Sequence, residues 1–130
     1  MTAFSKNIII VIIIILFVIG IHMYVMISFE NQIEMICQKS ENFINYIHSE
    51  EYDKAKNEAL EIKKNWNAGT RVLSLYIDHM DIDQVGLDIG MMIINFENGK
   101  YDEAILEVNR IIVTLREIYE RARLSLYNIF

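Results

Sequence analysis

The chain begins with an apolar run that no charged residue interrupts. From Ile8 to Ile27 it reads IIIVIIIILFVIGIHMYVMI, without a formally charged side chain. A helix of this length rises about 30 Å, the thickness of the hydrocarbon core of a bilayer. A cleavable signal peptide has a shorter apolar core of about 7–15 residues. The pattern therefore predicts an uncleaved transmembrane anchor within residues 1–29.

Helical spacing of apolar residues continues after the anchor. The stripe consists of Ile33, Ile36, Cys37, Phe43, Ile44 and Ile47. We expect the anchor helix to continue as helix one of the following domain until about His48. Ser49 is followed by acids, an order typical of an N-cap at the positive end of a helix dipole. Helix two is therefore predicted to begin at Ser49.

A second stripe predicts the course of helix two. Its members are Tyr52, Ala55, Ala59, Ile62, Trp66, Leu73, Tyr76 or Ile77, and Met80. The register continues through the sequence NAGT, although Gly69 costs about 1 kcal/mol relative to alanine in a helix. A continuous helix is the main prediction, and a break at residues 68–70 is the alternative.

The segment SLYIDHMDIDQVGL, residues 74–87, concentrates acids around a histidine. Asp81 and Gln84 have the spacing of a capping box, and Asp83 adds charge to the same end, so helix three is predicted to start there. His79 is predicted to face the core. The alternative is a metal or acid/base site, which requires three or four convergent ligands at suitable spacing.

Two further helices follow from the remaining pattern. Gly99 is the expected left-handed residue at the end of helix three, and helix four begins near Tyr101. The motif Tyr-Asp-x-Ala occurs at Tyr52 and again at Tyr101. This repeated motif indicates either two similar helix starts or tetratricopeptide-like pairing of helices. The apolar side of helix four contains Ile105, Val108, Ile111, Ile112, Leu115, Ile118, Tyr119 and Ala122.

Composition favours an all-α class, because proline is absent and only five glycines occur. The predicted architecture is a transmembrane helix at residues 1–29, continuing into an antiparallel bundle of about four helices at residues 30–130. The formal charge is −6, and Lys6 is the only charged residue before Glu30, which leaves −7 for the bundle. Such an acidic domain is a poor partner for nucleic acid.

Charge also predicts the orientation in the membrane. Lys6 precedes the anchor and acids follow it, so the positive-inside rule places the N-terminus in the cytoplasm and the bundle outside. His22 lies inside the apolar run, either as a neutral interfacial imidazole or as a functional group. Cys37, the single cysteine, is predicted to be a small helix-packing residue.

The anchor, Trp66, the segment LSLYIDHMDID at 73–83 and the ending LSLYNIF at 124–130 together resemble a known family. It comprises uncharacterised single-pass membrane proteins of spore-forming Gram-positive bacteria and is a domain of unknown function. The resemblance implies no enzymatic activity and suggests a neighbouring multi-pass membrane protein as partner. The structural or interaction candidates are Trp66, Tyr76, His79, Asp81, Asp83 and Asn128.

Three functions are compatible with this pattern. The main expectation is an accessory or interaction protein that binds another membrane or envelope protein, with the lipid bilayer and possible self-association as further contacts. A small-ligand sensor acting through a membrane partner is the alternative. An enzyme or metal protein using His79 lacks any supporting motif, such as HExxH or a phosphate-binding glycine loop. No cofactor is expected.

Overall fold

The computed structural model describes residues 2–127, with side chains as far as Ser125. Within this part of the chain all regular structure is helical: α1 spans Ala3–His48, α2 spans Tyr52–Leu73, α3 spans His79–Glu97 and α4 spans Tyr101–Tyr127. The all-α prediction of a first helix that continues into a four-helix bundle is confirmed.

The four helices form a closed bundle of two hairpins. Short loops join α1 to α2 and α3 to α4, so the helices of each pair run antiparallel and make the most extensive contacts. Further contacts join α1 to α4 and α2 to α3, which closes the ring. Tetratricopeptide repeats stack in open arrays, whereas these four helices close into a ring. The similarity to such repeats is therefore limited to the paired helix starts.

The core is built from one apolar face of every helix. Its buried side chains include Phe29, Ile33, Ile36, Phe43 and Ile47 of α1, Ala55, Ala59, Ile62, Trp66 and Leu73 of α2, Val85, Ile89, Met92 and Phe96 of α3, and Ala104, Val108, Ile111, Leu115 and Ile118 of α4. Burial of one large apolar side chain stabilises the fold by about 1.5–3 kcal/mol, so this cluster is the main source of stability.

The N-terminal part of α1 extends beyond the bundle. The first buried residue of this helix is Val25, and the isoleucine-rich residues before it are almost all exposed. Among the described residues, α1 is the one helix long and apolar enough to cross a membrane, and only 6% of its most apolar window is buried. This apolar segment is therefore not a core helix of the bundle.

The two hairpin turns have the same backbone geometry, 49 residues apart. In the first, Glu50 has φ 59° and the N–H of Glu51 donates to the carbonyl of Tyr46 at 2.8 Å. In the second, Gly99 has φ 73° and the N–H of Lys100 donates to the carbonyl of Asn95 at 2.8 Å. The left-handed residue predicted at Gly99 is confirmed.

The same offset relates the buried residues of the two hairpins. The buried pairs are Ile36 and Val85, Ser40 and Ile89, Phe43 and Met92, Ile47 and Phe96, Ala55 and Ala104, Ala59 and Val108, Ile62 and Ile111, and Trp66 and Leu115. The rings of Tyr52 and Tyr101 stack on each other with centroids 4.6 Å apart. The Tyr-Asp-x-Ala echo therefore marks two equivalent hairpins that meet at their helix starts.

The predicted start of helix two was wrong. Ser49 is the C-cap residue of α1, and α2 begins three residues later with Glu51 as an N-cap that makes no side-chain capping bond. The helix continues through Gly69, as predicted, but it ends at Leu73. The stripe does not extend to Met80, which is largely exposed because the chain turns after Leu73.

Gly69 has a packing role inside α2. The side-chain amide of Gln32 lies against it and donates from Nε2 to the carbonyl of Asn65 at 2.8 Å. A Cβ at position 69 would overlap the Gln32 amide. Glycine at this position therefore leaves room for the Gln32 amide between α1 and α2.

Candidate functional site

The junction between α2 and α3 contains most of the residues that the sequence singled out. Asp78 is the N-cap of α3, and its Oδ1 accepts a hydrogen bond from the N–H of Met80 at 2.9 Å. The prediction that Asp81 caps this helix was therefore wrong, since α3 starts three residues earlier. Sequence spacing alone did not distinguish between neighbouring aspartates that all suit a helix start.

Asp81 instead joins α3 to α4. Its Oδ2 lies 2.9 Å from Nη2 of Arg121. Asp83 is exposed at the next turn, and His79 is exposed as the first residue of α3. The prediction that His79 faces the core was wrong, because α2 ends at Leu73 and His79 lies at the exposed start of a new helix. Within the described residues, no group of three or more His, Cys, Asp or Glu side chains is placed to hold a metal ion.

Trp66 and Tyr76 lie in contrasting environments. Trp66 is 2% exposed in the core, where its indole lies beside Gly86 of α3. Tyr76 is exposed in the loop after α2, and its ring meets the imidazole of His22 edge to face with centroids 5.8 Å apart. Asn128, the remaining candidate, lies outside the described residues. The sequence candidates therefore do not converge on one site.

A buried acidic pair between α3 and α4 was missed from the sequence. Asp88 is 1% exposed and accepts a hydrogen bond from Nε2 of Gln84 at 2.9 Å. Nη1 of Arg110 lies 3.6 Å from Oδ1 of Asp88 and 3.0 Å from Oε2 of Glu107. One guanidinium thus serves two buried carboxylates. The available signal was an aspartate inside the apolar stripe that includes Val85.

The first hairpin has a different charge arrangement at the equivalent positions. Lys39 corresponds to Asp88 and Glu58 corresponds to Glu107, and Nζ of Lys39 lies 3.7 Å from Oε2 of Glu58. The two hairpins therefore use an opposite-charge pair in one case and two acids with a shared arginine in the other. Such ion pairs add little net stability, but removal of one partner leaves an unpaired buried charge.

An apolar stripe covers the outer face of α3. Leu87, Met91 and Ile94 are all exposed, and their spacing places them on one side of the helix. We call this set the α3 stripe. The core stripe of α3 occupies a different face, formed by Val85, Ile89, Met92 and Phe96. Because α3 is apolar on two faces, one of them has no partner within the described chain.

A groove of about 320 Å³ separates α1 from α2 at the end of the bundle nearest the apolar segment. Its walls are mostly apolar and include Tyr24, Phe29 and Val72. The polar groups in the wall are few, among them Gln32 and Asn65, whose side-chain Nδ2 is buried without a hydrogen-bond partner. Such a combination of apolar walls and one free donor suits a small, mainly apolar ligand.

The side chains of Tyr119 and Cys37 are among the groups of the bundle whose pKa is shifted by their surroundings. Burial raises the pKa of the Tyr119 phenol, and the neighbouring Glu30 carboxylate raises it further. Burial also raises the pKa of Cys37, although the nearby Arg116 opposes that shift. A thiol with a raised pKa is a poor nucleophile at neutral pH. The half-buried position of Cys37 agrees with the predicted packing role.

Comparisons with known proteins identify one family. Residues 23–129 match a family model described as a domain of unknown function, DUF4363. Searches of curated proteins and of solved structures gave no significant match. The matched region begins near Val25, the first buried residue of α1, and includes α1 from residue 23 onwards together with α2, α3 and α4. The chain therefore belongs to the DUF4363 family, as the expectation of a domain of unknown function anticipated.

Proposed function

We propose that this protein is a membrane-anchored accessory or interaction protein whose helical bundle binds another membrane or envelope protein. The observation that supports this most strongly is the α3 stripe, an apolar helix face with no partner in the described chain. Exposed apolar patches on a folded domain mark interaction surfaces. The proposal concerns binding and includes no enzymatic activity.

The anchor is the first part of the proposal. The whole apolar run of α1, from Ile8 to Ile27, is long enough to span a bilayer, and the same helix continues without a break into the core. In water this segment would expose a continuous isoleucine-rich surface, which the hydrophobic effect opposes. The noted resemblance to single-pass membrane proteins of spore-forming Gram-positive bacteria agrees with a membrane location.

The orientation follows from the charges on either side of the segment. Lys6 precedes it, whereas Glu30 and Glu34 are the first charged residues after it. The positive-inside rule then places the N-terminus in the cytoplasm and the bundle outside the cell membrane. In this orientation the α3 stripe meets partners in the envelope or partners that project from the same membrane.

The chemistry of the α3 stripe favours a helical partner. Leu87, Met91 and Ile94 follow the i, i+4, i+7 spacing with which one helix packs against another. Methionines adapt to irregular partner surfaces because their side chains are flexible. A multi-pass membrane protein with an outer helix, or a second copy of this chain, supplies such a surface.

A photo-crosslinking experiment tests the proposal in native cells. Benzoylphenylalanine replaces Leu87 in the α3 stripe or, as a control, Leu60, an exposed leucine on α2 between charged residues. We expect a discrete adduct from position 87 and not from position 60, with mass spectrometry identifying the captured protein. A second substitution, Ile94→Glu, should abolish the adduct. Equal yields from both positions would count against the α3 stripe as the binding surface.

A second candidate function is the binding of a small ligand in the groove between α1 and α2, with a signal passed to a membrane partner. The free Nδ2 of Asn65 in an apolar wall favours this alternative. Ala68 lines the groove and is itself exposed, so Ala68→Trp should fill the groove with little effect on the core. Native mass spectrometry of the detergent-purified protein should then show a bound small molecule that the variant lacks.

A further inference from the structure

One end of the bundle exposes a set of apolar side chains beside the apolar segment of α1. These are Leu75 and Tyr76 in the loop after α2, Met80 in the first turn of α3, and Leu124 near the end of α4, and we call them the rim. Leu75 and Met80 are each 78% exposed. Fully exposed large apolar side chains in neighbouring elements have no role in the core.

The rim lies at the level of residues 22–26 of α1. Tyr76 touches His22 through the edge-to-face ring contact. The last turns of α4 reach the same level, because Tyr119 and Arg123 line a groove together with His22 and Met26. The bundle therefore begins inside the apolar run that ends at Ile27, and not after it.

The free part of the apolar run is too short to cross a bilayer by itself. From Ile8 to Ile21, before the contact of His22 with Tyr76, a helix rises only about 21 Å. The hydrocarbon core is about 30 Å thick. The difference of about 9 Å corresponds to residues 22–27, which are the residues beside the rim.

The backbone donors of the rim loop are paired within the chain. The N–H groups of residues 74–77 all donate to carbonyls within the chain, among them Tyr76 to Leu73 at 2.9 Å and Ile77 to Leu73 at 2.9 Å. The hydroxyl of Ser74 donates to the carbonyl of Arg71 at 2.7 Å. Paired donors lower the cost of placing irregular backbone next to hydrocarbon, and the carbonyls of the loop stay at the headgroups, where water can bind them.

We propose that the rim is immersed in the outer leaflet of the bilayer, with Leu75 and Met80 among the upper acyl chains and Tyr76 at the headgroup boundary. This inference rests on the proposed anchor and adds that the bundle itself contacts lipid. Tyrosines favour this boundary because one end of the ring is apolar and the other polar.

Charged residues near the rim limit its depth. Asp78 is exposed beside Tyr76, and Arg121 and Arg123 lie on the last turns of α4. These groups remain hydrated at the headgroups, so the apolar side chains enter by about 5–10 Å, as interfacial helices do. The rim thereby fixes how far the bundle projects from the membrane.

Spin-label accessibility measures this depth in the full-length protein. Single cysteines replace Leu75, Met80, Ile14 or Leu60 in a Cys37→Ser background, and the labelled protein is reconstituted in vesicles of phosphatidylcholine and phosphatidylglycerol. Oxygen concentrates in the bilayer, whereas a nickel chelate stays in water. We expect the oxygen-to-nickel collision ratio at Leu75 and Met80 to be several-fold higher than at Leu60. Circular dichroism confirms that each variant is folded.

The anchor position separates failure of this inference from failure of the proposed function. A high ratio at Ile14 together with ratios at Leu75 or Met80 equal to that at Leu60 overturns the rim and leaves the anchor intact. A low ratio at Ile14 overturns the anchor and the rim with it. High ratios at Ile14, Leu75 and Met80 support both the anchor and the immersion of the rim.

Discussion

The two hairpins of the bundle share a turn and a core pattern but differ in one pair of charged positions. Lys39 and Glu58 of the first hairpin attract each other directly. Asp88 and Glu107 of the second hairpin are both acids, and Arg110 lies within reach of both. A repeated backbone therefore does not require repeated charges, provided that a third residue compensates.

The same comparison explains which positions tolerate divergence. The buried apolar pairs keep their apolar character, because removal of either member leaves a cavity. The charged positions border the core, and the carboxylates there are paired with a cation of either kind, Lys39 in the first hairpin and Arg110 in the second. Four groups of substitutions test whether equivalent positions of the two hairpins contribute equally to stability. The free energy of unfolding is measured for each variant by chemical unfolding of the full chain in detergent micelles, followed by circular dichroism.

The largest effect is expected at the equivalent core positions Trp66 and Leu115. Trp66→Ala should lower the free energy of unfolding by about 3 kcal/mol, because the indole is buried and leaves a large cavity. Leu115→Ala should cost about 3 kcal/mol as well if the hairpins unfold together. A loss below about 0.5 kcal/mol for Trp66→Ala would place the indole on the surface and contradict this packing.

The charged positions should show the clearest difference between the hairpins. Arg110→Met should destabilise by about 2 kcal/mol, because two neighbouring buried acids lose their shared cation. Lys39→Met should cost less than about 1 kcal/mol, because the pair with Glu58 is partly solvated. Asp88→Asn should restore part of the loss in the Arg110→Met background. Equal losses for Arg110→Met and Lys39→Met would remove the proposed difference.

The start of α3 has no counterpart in the first hairpin, because α1 passes through the equivalent level as a continuous helix. Asp78→Ala should lower the free energy of unfolding by about 1 kcal/mol through loss of the cap. Asp81→Ala should cost only about 0.5 kcal/mol, since its ion pair with Arg121 is exposed. A larger loss of stability for Asp81→Ala than for Asp78→Ala would indicate that Asp81, and not Asp78, caps the helix.

The smallest effect is expected in the turns. Glu50 has a left-handed backbone that glycine adopts without strain, so Glu50→Gly should raise the free energy of unfolding by about 0.5 kcal/mol. Gly99→Ala at the equivalent position should lower it by at least about 0.5 kcal/mol. If both substitutions shift stability in the same direction, the two turns are not equivalent in solution.

Much of the helix pattern was predictable because apolar spacing reports the buried face directly. The extent of α1, the continuity of α2 through Gly69, the turn at Gly99 and the start of α4 at Tyr101 all followed from it. The start of α2 did not, because a three-residue turn with left-handed Glu50 was hidden behind an apparent N-cap. Glutamate gives no sequence signal for that conformation.

The candidate site was less predictable for a different reason. Neighbouring aspartates compete for one cap, and the outcome depends on where the preceding turn ends, which spacing alone does not give. The Asp88 and Arg110 pair joins residues from different helices, so its partner becomes visible only in three dimensions. The residues of the α3 stripe are visible in the sequence. However, a helix with two apolar faces has no clear polar side, so the sequence does not show which face is buried.

The unbroken course of α1 sets a mechanical relation between its two ends. A helix turns by about 100° and rises by about 1.5 Å for each residue. The rotation of the exposed segment about the helix axis is therefore coupled to the rotation of the core face. Removing one residue near Gly20 would rotate the whole bundle by about 100° relative to the segment before it. Contacts that fix the rotation of the first twenty residues about the helix axis therefore also fix the direction that the α3 stripe faces.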